Sequence, residues 1–258
     1  MKRSWRGKAK GFLIYAYVFL ILTGLGIGTF EYVRYETAAV VTGGGEVETE
    51  ENGSDMETES DTQAVQPGHA AEDLPAQIAL TFDDGPHPVY TAQLLEGLRA
   101  RGVRASFFLI GENIPGNEDL VRQMAEDGHL IGNHTWSHVR LTDLDAASAC
   151  EEITKTSELV KQITGKDTEY IRPPFGSWDS ELECGFAMFP VLWSVDTRDW
   201  TTENADAIVE KAVKEVQDND IILLHDYYES SVEAALRIVD LLQAQGYEFV
   251  TADQLIFD

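Results

Sequence analysis

Two neighbouring aspartates follow a short apolar run and are the first candidates for chemistry. Residues 81–86 read T-F-D-D-G-P, and the apolar residues before them place Asp83 and Asp84 at the carboxyl end of a predicted buried strand. Adjacent side chains of an extended chain point to opposite sides. The two carboxylates are therefore predicted to have different tasks, one binding a cation and the other moving a proton. A solvated turn is the alternative.

A pair of histidines follows another predicted strand. His134 and His138 lie in the sequence H-T-W-S-H, and their spacing brings them together on one helical turn or in a compact loop. Imidazole is the commonest protein ligand for a divalent metal. With one aspartate the histidines form a set of three ligands, which leaves positions open for water and substrate, as in a catalytic metal site. Histidine pairs that bind no metal are the alternative.

Three more predicted strands end in unusual residues. The sequences are R-P-P-F-G from Arg172, D-T-R-D-W from Asp196 and L-L-H-D from Leu223. Taken singly, Arg172 is typical of a surface ion pair, Trp200 of a core residue and His225 of a hydrogen-bonded core histidine. In a parallel barrel, however, all these positions lie on the one face where active sites are built.

The region after residue 76 alternates between apolar strand-like runs and amphipathic helical stretches. This alternation predicts parallel strands joined by helical crossovers. About seven such units predict an α/β fold with a closed or nearly closed barrel, and an open doubly wound sheet is the alternative. The predicted strands are residues 77–82, 105–111, 129–134, 169–172, 189–195, 220–225 and 247–251. Two helices with a clear apolar face are predicted at residues 204–217 and 230–245.

The amino terminus carries a candidate membrane anchor. Residues 11–30 contain no charge and, at about 1.5 Å per residue, would span the roughly 30 Å hydrocarbon core as a single transmembrane helix. Five basic residues lie within residues 1–10, which predicts a cytoplasmic amino terminus and an extracellular remainder. A cleaved signal peptide is the alternative, but its apolar run is usually about 7 to 15 residues long.

Residues 31–75 are predicted to form a disordered acidic linker, because they contain too few apolar residues to fold. They show no spaced set of oxygen ligands for calcium. The whole chain has a formal net charge of −26, which argues against nucleic acid as a partner. Cys150 and Cys184 lie on the predicted exterior side, where a disulfide can form; two buried thiols are the alternative.

Taken in order, the five motifs T-F-D-D-G-P, H-T-W-S-H, R-P-P-F-G, D-T-R-D-W and L-L-H resemble those of the carbohydrate esterase family 4 polysaccharide deacetylases, also called NodB-homology domains. The resemblance covers about residues 76–258, which are predicted to form the catalytic domain. It implies a distorted (β/α) barrel of about seven parallel strands. It also implies metal-dependent removal of N-linked or O-linked acetyl groups from sugars.

The resemblance implies a role for each motif residue at the reacting centre. Asp83 becomes the general base, and the metal ligands become Asp84, His134 and His138. One divalent ion is expected. Zinc is the expected identity, although cobalt, nickel and iron suit the same ligands.

Further implied roles concern proton transfer and the oxyanion. His225 becomes the general acid, tuned by Asp199, while Arg172 positions Asp83. Phe175 stands where the family often has tyrosine, and its backbone N–H is the implied contact to the oxyanion. The departing amine is a poor leaving group and must be protonated, a task that suits His225 if Asp199 keeps it charged.

Trp200 and Leu223 are expected to wall a small pocket that matches an acetyl methyl group. The expected function is a membrane-anchored deacetylase that acts on N-acetylglucosamine of bacterial peptidoglycan, outside the cell membrane. Chitin-type oligosaccharide, exported poly-N-acetylglucosamine and acetylated xylan are alternative substrates. A non-catalytic wall-binding module on the same scaffold is an alternative of another class. The sequence does not determine the oligomeric state.

Overall fold

A parallel β-sheet forms the centre of the part of the chain that the computed structural model describes, residues 75–185 and 187–256. Its strands are β1 (Gln77–Asp83), β2 (Ser106–Leu109), β3 (Leu130–Asn133), β4 (Tyr170–Ile171), β5 (Phe189–Pro190), β6 (Val195–Asp196), β7 (Ile221–His225) and β8 (Glu248–Val250). Seven strands follow one path in the order β5-β4-β3-β2-β1-β7-β6, and β8 pairs with β1. The path curls into a half-barrel, which confirms the predicted distorted barrel of about seven parallel strands.

Helices connect the strands along the outside of the half-barrel. They are α1 (Tyr90–Arg101), α2 (Glu118–Glu126), α3 (Ala146–Thr164), α4 (Ala205–Glu215), α5 (Glu229–Ala244) and α6 (Ala252–Ile256). The side chain of Asp145 caps α3 and that of Asn204 caps α4, each by accepting backbone N–H groups of the first turn. Gly165 ends α3 in the left-handed conformation that glycine adopts without strain.

Strand β1 alternates between the two faces of the sheet. Ile78, Leu80 and Phe82 belong to the main hydrophobic core, together with the buried faces of α1, α4 and α5. Residues of opposite parity, such as Thr81 and Asp83, point to the concave side, where both contact the same buried side chain, Arg172. The alternation thus separates a structural face of β1 from a polar one.

The predicted strand at residues 189–195 is in fact two strands, β5 and β6, which lie at opposite ends of the sheet. Strand β5 pairs with β4, whereas β6 pairs with β7. Between them, the carbonyl oxygens of Val191 and Leu192 accept hydrogen bonds from the Arg172 guanidinium, at 3.0 and 3.1 Å. The Arg172 side chain therefore binds the backbone between the two strands. The continuous apolar run at residues 189–195 did not indicate this interruption.

The two cysteines form a disulfide between α3 and the segment that follows the R-P-P-F-G motif. Cys150 and Cys184 are bonded, with their Cα atoms 5.2 Å apart. This decides between the two alternatives that the sequence left open.

The predicted cytoplasmic residues 1–10, transmembrane helix 11–30 and nearly all of the acidic linker 31–75 lie outside the described residues. Within residues 75–185 and 187–256, no helix combines the length and the apolar character needed to cross a membrane. The domain boundaries of the amino-terminal half stay predictions.

Candidate active site

The structure brings one aspartate and two histidines together at the carboxyl ends of β1 and β3. Potential ligand atoms of Asp84, His134 and His138 all lie within 4.8 Å of one another. Asp84 Oδ1 is 3.5 Å from His134 Nε2 and 3.6 Å from His138 Nε2. The three groups therefore face a common point, as the sequence analysis required of a metal site.

The chemistry of these three residues fits a divalent cation. Asp84 Oδ1 is buried and has no hydrogen-bond partner among the described residues, which is costly unless a cation or water satisfies it. Burial raises the pKa of Asp84, but the electrostatic attraction of the His134 imidazole, 3.5 Å away, outweighs burial, so the pKa is lowered. Burial and the charge of His134 lower the pKa of His138. Both shifts favour the deprotonated forms that bind metals.

A backbone carbonyl orients the first histidine. His134 Nδ1 lies 2.5 Å from the carbonyl oxygen of Arg172, so the hydrogen bond assigns the proton to Nδ1 and leaves Nε2 free to act as a ligand. With the ring held in this orientation, Nε2 lies 3.5 Å from Asp84 Oδ1. The R-P-P-F-G motif thus supports the metal site through its main chain.

Asp83 lies beside this cluster and is held by a buried arginine. Its Oδ1 accepts a hydrogen bond from Arg172 Nη1 at 2.8 Å, and its Oδ2 lies 3.7 Å from His134 Nε2. Arg172 is fully buried, which excludes the surface ion pair considered for it. Burial lowers the pKa of Arg172, and Asp83 partly opposes that shift. The arginine keeps its ordinary positive charge.

The two aspartates do not point to opposite sides in the simple way that strand alternation predicts. Both carboxylates approach His134 Nε2, at 3.7 Å for Asp83 and 3.5 Å for Asp84. The reason is that β1 ends at Asp83, and Asp84 has a φ of +75°, which turns its side chain back toward the site. Their surroundings still differ, because Asp83 pairs with a guanidinium and Asp84 with imidazoles.

A buried carboxylate also holds His225, at the end of the neighbouring strand. Asp83 and His225 are register partners in β1 and β7. Asp199 Oδ1 lies 2.8 Å from His225 Nδ1, and Asp199 Oδ2 accepts the backbone N–H of His225 at 2.7 Å. Burial lowers the pKa of His225, but the hydrogen bond to Asp199 and the carboxylate charges raise it, to about 9. The ring is therefore protonated at neutral pH in the metal-free protein.

Comparison with known proteins identifies the family of this site. A family model described as polysaccharide deacetylase matches residues 71–187. A peptidoglycan-N-acetylglucosamine deacetylase of Bacillus cereus is 35% identical over 187 residues, which cover 69% of this chain and 87% of that protein. The chain belongs to the polysaccharide deacetylase family. The peptidoglycan-N-acetylmuramic acid deacetylase PdaC of Bacillus subtilis is 38% identical, but the match covers only 38% of its length, against 69% of this chain.

Solved structures of polysaccharide deacetylases share the fold. The structure of PdaC from Bacillus subtilis has a TM-score of 0.69 and 37% identity, covering 71% of this chain and 91% of that one. A family 4 acetyl xylan esterase from Clostridium thermocellum, solved with a cobalt ion, has a TM-score of 0.65 and 31% identity, covering 70% and 90%.

Three further residues were expected to touch a substrate. Phe175 is 59% exposed, and its ring centroid lies 4.9 Å from that of His138. Trp200 is 58% exposed, which excludes the core position considered for it. Leu223 is buried in β7, where its carbonyl oxygen accepts the Thr197 hydroxyl at 2.8 Å. Their roles toward an acetyl group stay predictions.

Strained backbone conformations concentrate in the deacetylase motifs. Six non-glycine residues of the described chain have positive φ, and five of them lie in these motifs. The five are Asp84, Thr135, His138, Phe175 and Arg198. Each such conformation costs on the order of 1 kcal/mol or more and persists only where neighbouring contacts enforce it.

Two polar residues of the site escaped the sequence reasoning. Thr81 accepts a hydrogen bond from Arg172 Nη1 at 2.7 Å and donates one to the Ile222 carbonyl oxygen at the same distance. Asp226 is fully buried, accepts the Thr91 hydroxyl and packs against Gly85, the residue after Asp84. Burial raises the pKa of Asp226 to about 7. Both residues lie inside the quoted motifs, but only the fold shows what they contact.

The Asp199–His225 pair predicts a measurable titration. In the metal-free protein, NMR should give a His225 pKa well above the ordinary 6.5, and Asp199→Asn should lower it because burial then dominates. A raised folded-state pKa contributes stability that is complete below pH 6.5 and is lost as pH rises through about 9. Titration near 6.5 in both proteins would contradict the assignment.

Proposed function

We propose that this protein is a metal-dependent hydrolase that removes acetyl groups from N-acetylated cell-wall glycan. One observation carries the proposal. A candidate general base and a candidate general acid, each fixed by a hydrogen-bonded partner, lie on either side of a set of metal ligands. The base pair is Asp83 with Arg172, the acid pair is His225 with Asp199, and the ligands are Asp84, His134 and His138. An amide hydrolase needs both proton-transfer groups, because water must lose a proton and the amine must gain one.

The residues divide the chemistry in a definite way. A divalent ion bound by the three ligands would polarise the acetyl carbonyl and acidify water. Asp83, fixed by Arg172, accepts the proton of the attacking water. His225 enters the reaction protonated and donates its proton to the leaving amine. The backbone N–H of Phe175 is our candidate donor to the oxyanion.

We propose zinc as the ion and N-acetylglucosamine of peptidoglycan as the substrate. One Asp and two His ligands suit zinc, although the related acetyl xylan esterase was solved with cobalt. Relatives named as peptidoglycan deacetylases support the polymer, but their names differ in the sugar, glucosamine in one and muramic acid in another. The exposed rings of Phe175 and Trp200 suit stacking against sugars of a long glycan.

We also propose that residues 11–30 anchor the protein in the cell membrane with its catalytic domain outside. The uncharged run and the basic residues before it support this orientation. An acidic linker of residues 31–75 would then let the domain reach the wall. Protease added to intact cells from which the wall has been removed should release the domain; a protected domain would refute this orientation.

Acetate release tests the function directly. The protein should release acetate from purified peptidoglycan faster than from chitin oligomers or acetylated xylan. A chelator should abolish release, and zinc should restore it. If no substrate yields acetate while the protein still binds peptidoglycan, the non-catalytic wall-binding module is the better description.

Replacement of Asp83 distinguishes the role of a general base from that of a metal ligand. Asp83→Asn should lower kcat by about 10²- to 10⁴-fold, because it removes the proton acceptor while leaving the three ligands in place. Its zinc content, measured by atomic absorption, should match that of the unmodified protein. Asp84→Asn is the matched variant and should lose both zinc and activity. Near-normal turnover of zinc-loaded Asp83→Asn protein would refute the role of Asp83.

A further inference from the structure

We propose that Glu152, in helix α3, is a positioning residue for the metal-binding loop formed by residues 134–138. Its Oε2 accepts the backbone N–H groups of Trp136 and Ser137, at 3.0 and 2.8 Å. Its Oε1 accepts the hydroxyl of Ser137 at 3.0 Å. One carboxylate thus binds two of the three residues between the two histidine ligands. Glu152 lies outside the five motifs, 14 positions after His138 in the sequence.

The loop needs such support because it is not a helical turn. Thr135 has a φ of +67° and His138 a φ of +54°, so the loop contains two left-handed residues that are not glycine. Neither conformation is favoured locally, and Thr135 is also β-branched. Contacts from other elements must therefore hold the backbone in this course.

Other backbone groups of the loop are held by different residues. The Thr135 N–H donates to Asn133 Oδ1 at 2.7 Å. The carbonyl oxygens of Thr135 and Trp136 accept the backbone N–H groups of Gly111 and Glu112, each at 2.9 Å. The loop is thus fixed at its carbonyls by the segment after β2 and at two of its amides by Glu152. Loss of Glu152 would leave two partly buried N–H groups without these acceptors.

Helix α3 provides a rigid base for the Glu152 carboxylate. Ile153, the next residue, is 1% exposed and packs in a hydrophobic cluster. Cys150, one residue before Glu151, is fixed by its disulfide to Cys184. Lys155 adds a contact to the same loop, since its Nζ lies 3.7 Å from the centroid of the Trp136 ring. The helix is therefore fixed by packing and by the disulfide at residues close to Glu152 on either side in the sequence.

The consequence concerns metal affinity, because the loop sets the separation of the two histidine ligands. Both Nε2 atoms lie within 3.6 Å of the same Asp84 oxygen. A small shift of Trp136 or Ser137 would move His138 relative to His134. Removal of outer hydrogen-bond partners at metal sites typically weakens metal binding by about 10- to 100-fold. The inference rests on the metal site of the proposed function.

The test measures zinc affinity on the full chain by competition with a chelator. Glu152→Ala should weaken zinc binding by about 10- to 100-fold. Glu152→Asp should weaken it comparably, because the carboxylate retreats by one methylene and no longer spans both amides. Glu152→Gln should stay within about threefold, since its carbonyl oxygen still accepts both N–H groups and its amide faces the Ser137 hydroxyl. Glu151→Ala, at an exposed position of the same helix, is the matched control and should bind like the unmodified protein.

Thermal unfolding without metal separates positioning from folding. Variants whose metal-free unfolding temperature is unchanged but whose zinc affinity falls support the inference. If Glu152→Ala does not fold, Glu152→Asp decides. Zinc binding within twofold of the unmodified protein in the deciding variant overturns the inference, and so does a Glu152→Gln variant as weak as alanine. Failure of the unmodified protein to bind zinc would instead refute the proposed zinc site.

Discussion

The buried guanidinium of Arg172 is the interaction on which the rest of the site depends. Its side chain donates to Asp83 and Thr81 on β1 and to the carbonyl oxygens of residues 191 and 192, in the segment between β5 and β6. Its own carbonyl oxygen orients His134. A single residue therefore joins the segment between β5 and β6, the proposed base and the metal site. Removing Asp83 as the partner of this buried charge would cost about 3 to 5 kcal/mol of stability.

The site also shows how two adjacent carboxylates acquire different properties. Asp83 is paired with a permanent cation, and its second oxygen faces His134. Asp84 has a buried oxygen with no hydrogen-bond partner in the part of the chain that the structure describes, and it lies between two imidazoles. A positive φ at Asp84 makes this arrangement possible, because it ends the alternation of β1 at the point where both side chains must face one centre. Backbone strain at this position is therefore part of the construction of the site.

The charge of His225 depends on the balance between burial and the carboxylate of Asp199. Burial alone would keep its ring neutral, but a carboxylate that is itself 1% exposed holds both its backbone and its ring. In the metal-free protein the electrostatic gain exceeds the desolvation cost, so the histidine is charged where the proposed reaction needs a proton donor. Zinc, if bound nearby, would add a positive charge and work against this balance.

The sequence by itself determined that strands alternate with helices and which residue types follow β1, β3, β4 and β7, because strand periodicity and the Gly and Pro breaks after β1 and β4 are local properties of the chain. The residue pattern grouped the two histidines with one of the two aspartates, the family resemblance identified that aspartate as Asp84, and the structure brings Asp84, His134 and His138 together. Only the tertiary structure decided the pairing of Cys150 with Cys184, the division of residues 189–195 into two strands and the contact of Glu152 with the metal-binding loop. These features join segments that are distant in sequence. Their hydrogen bonds and bonded sulfurs depend on distances that no local pattern encodes.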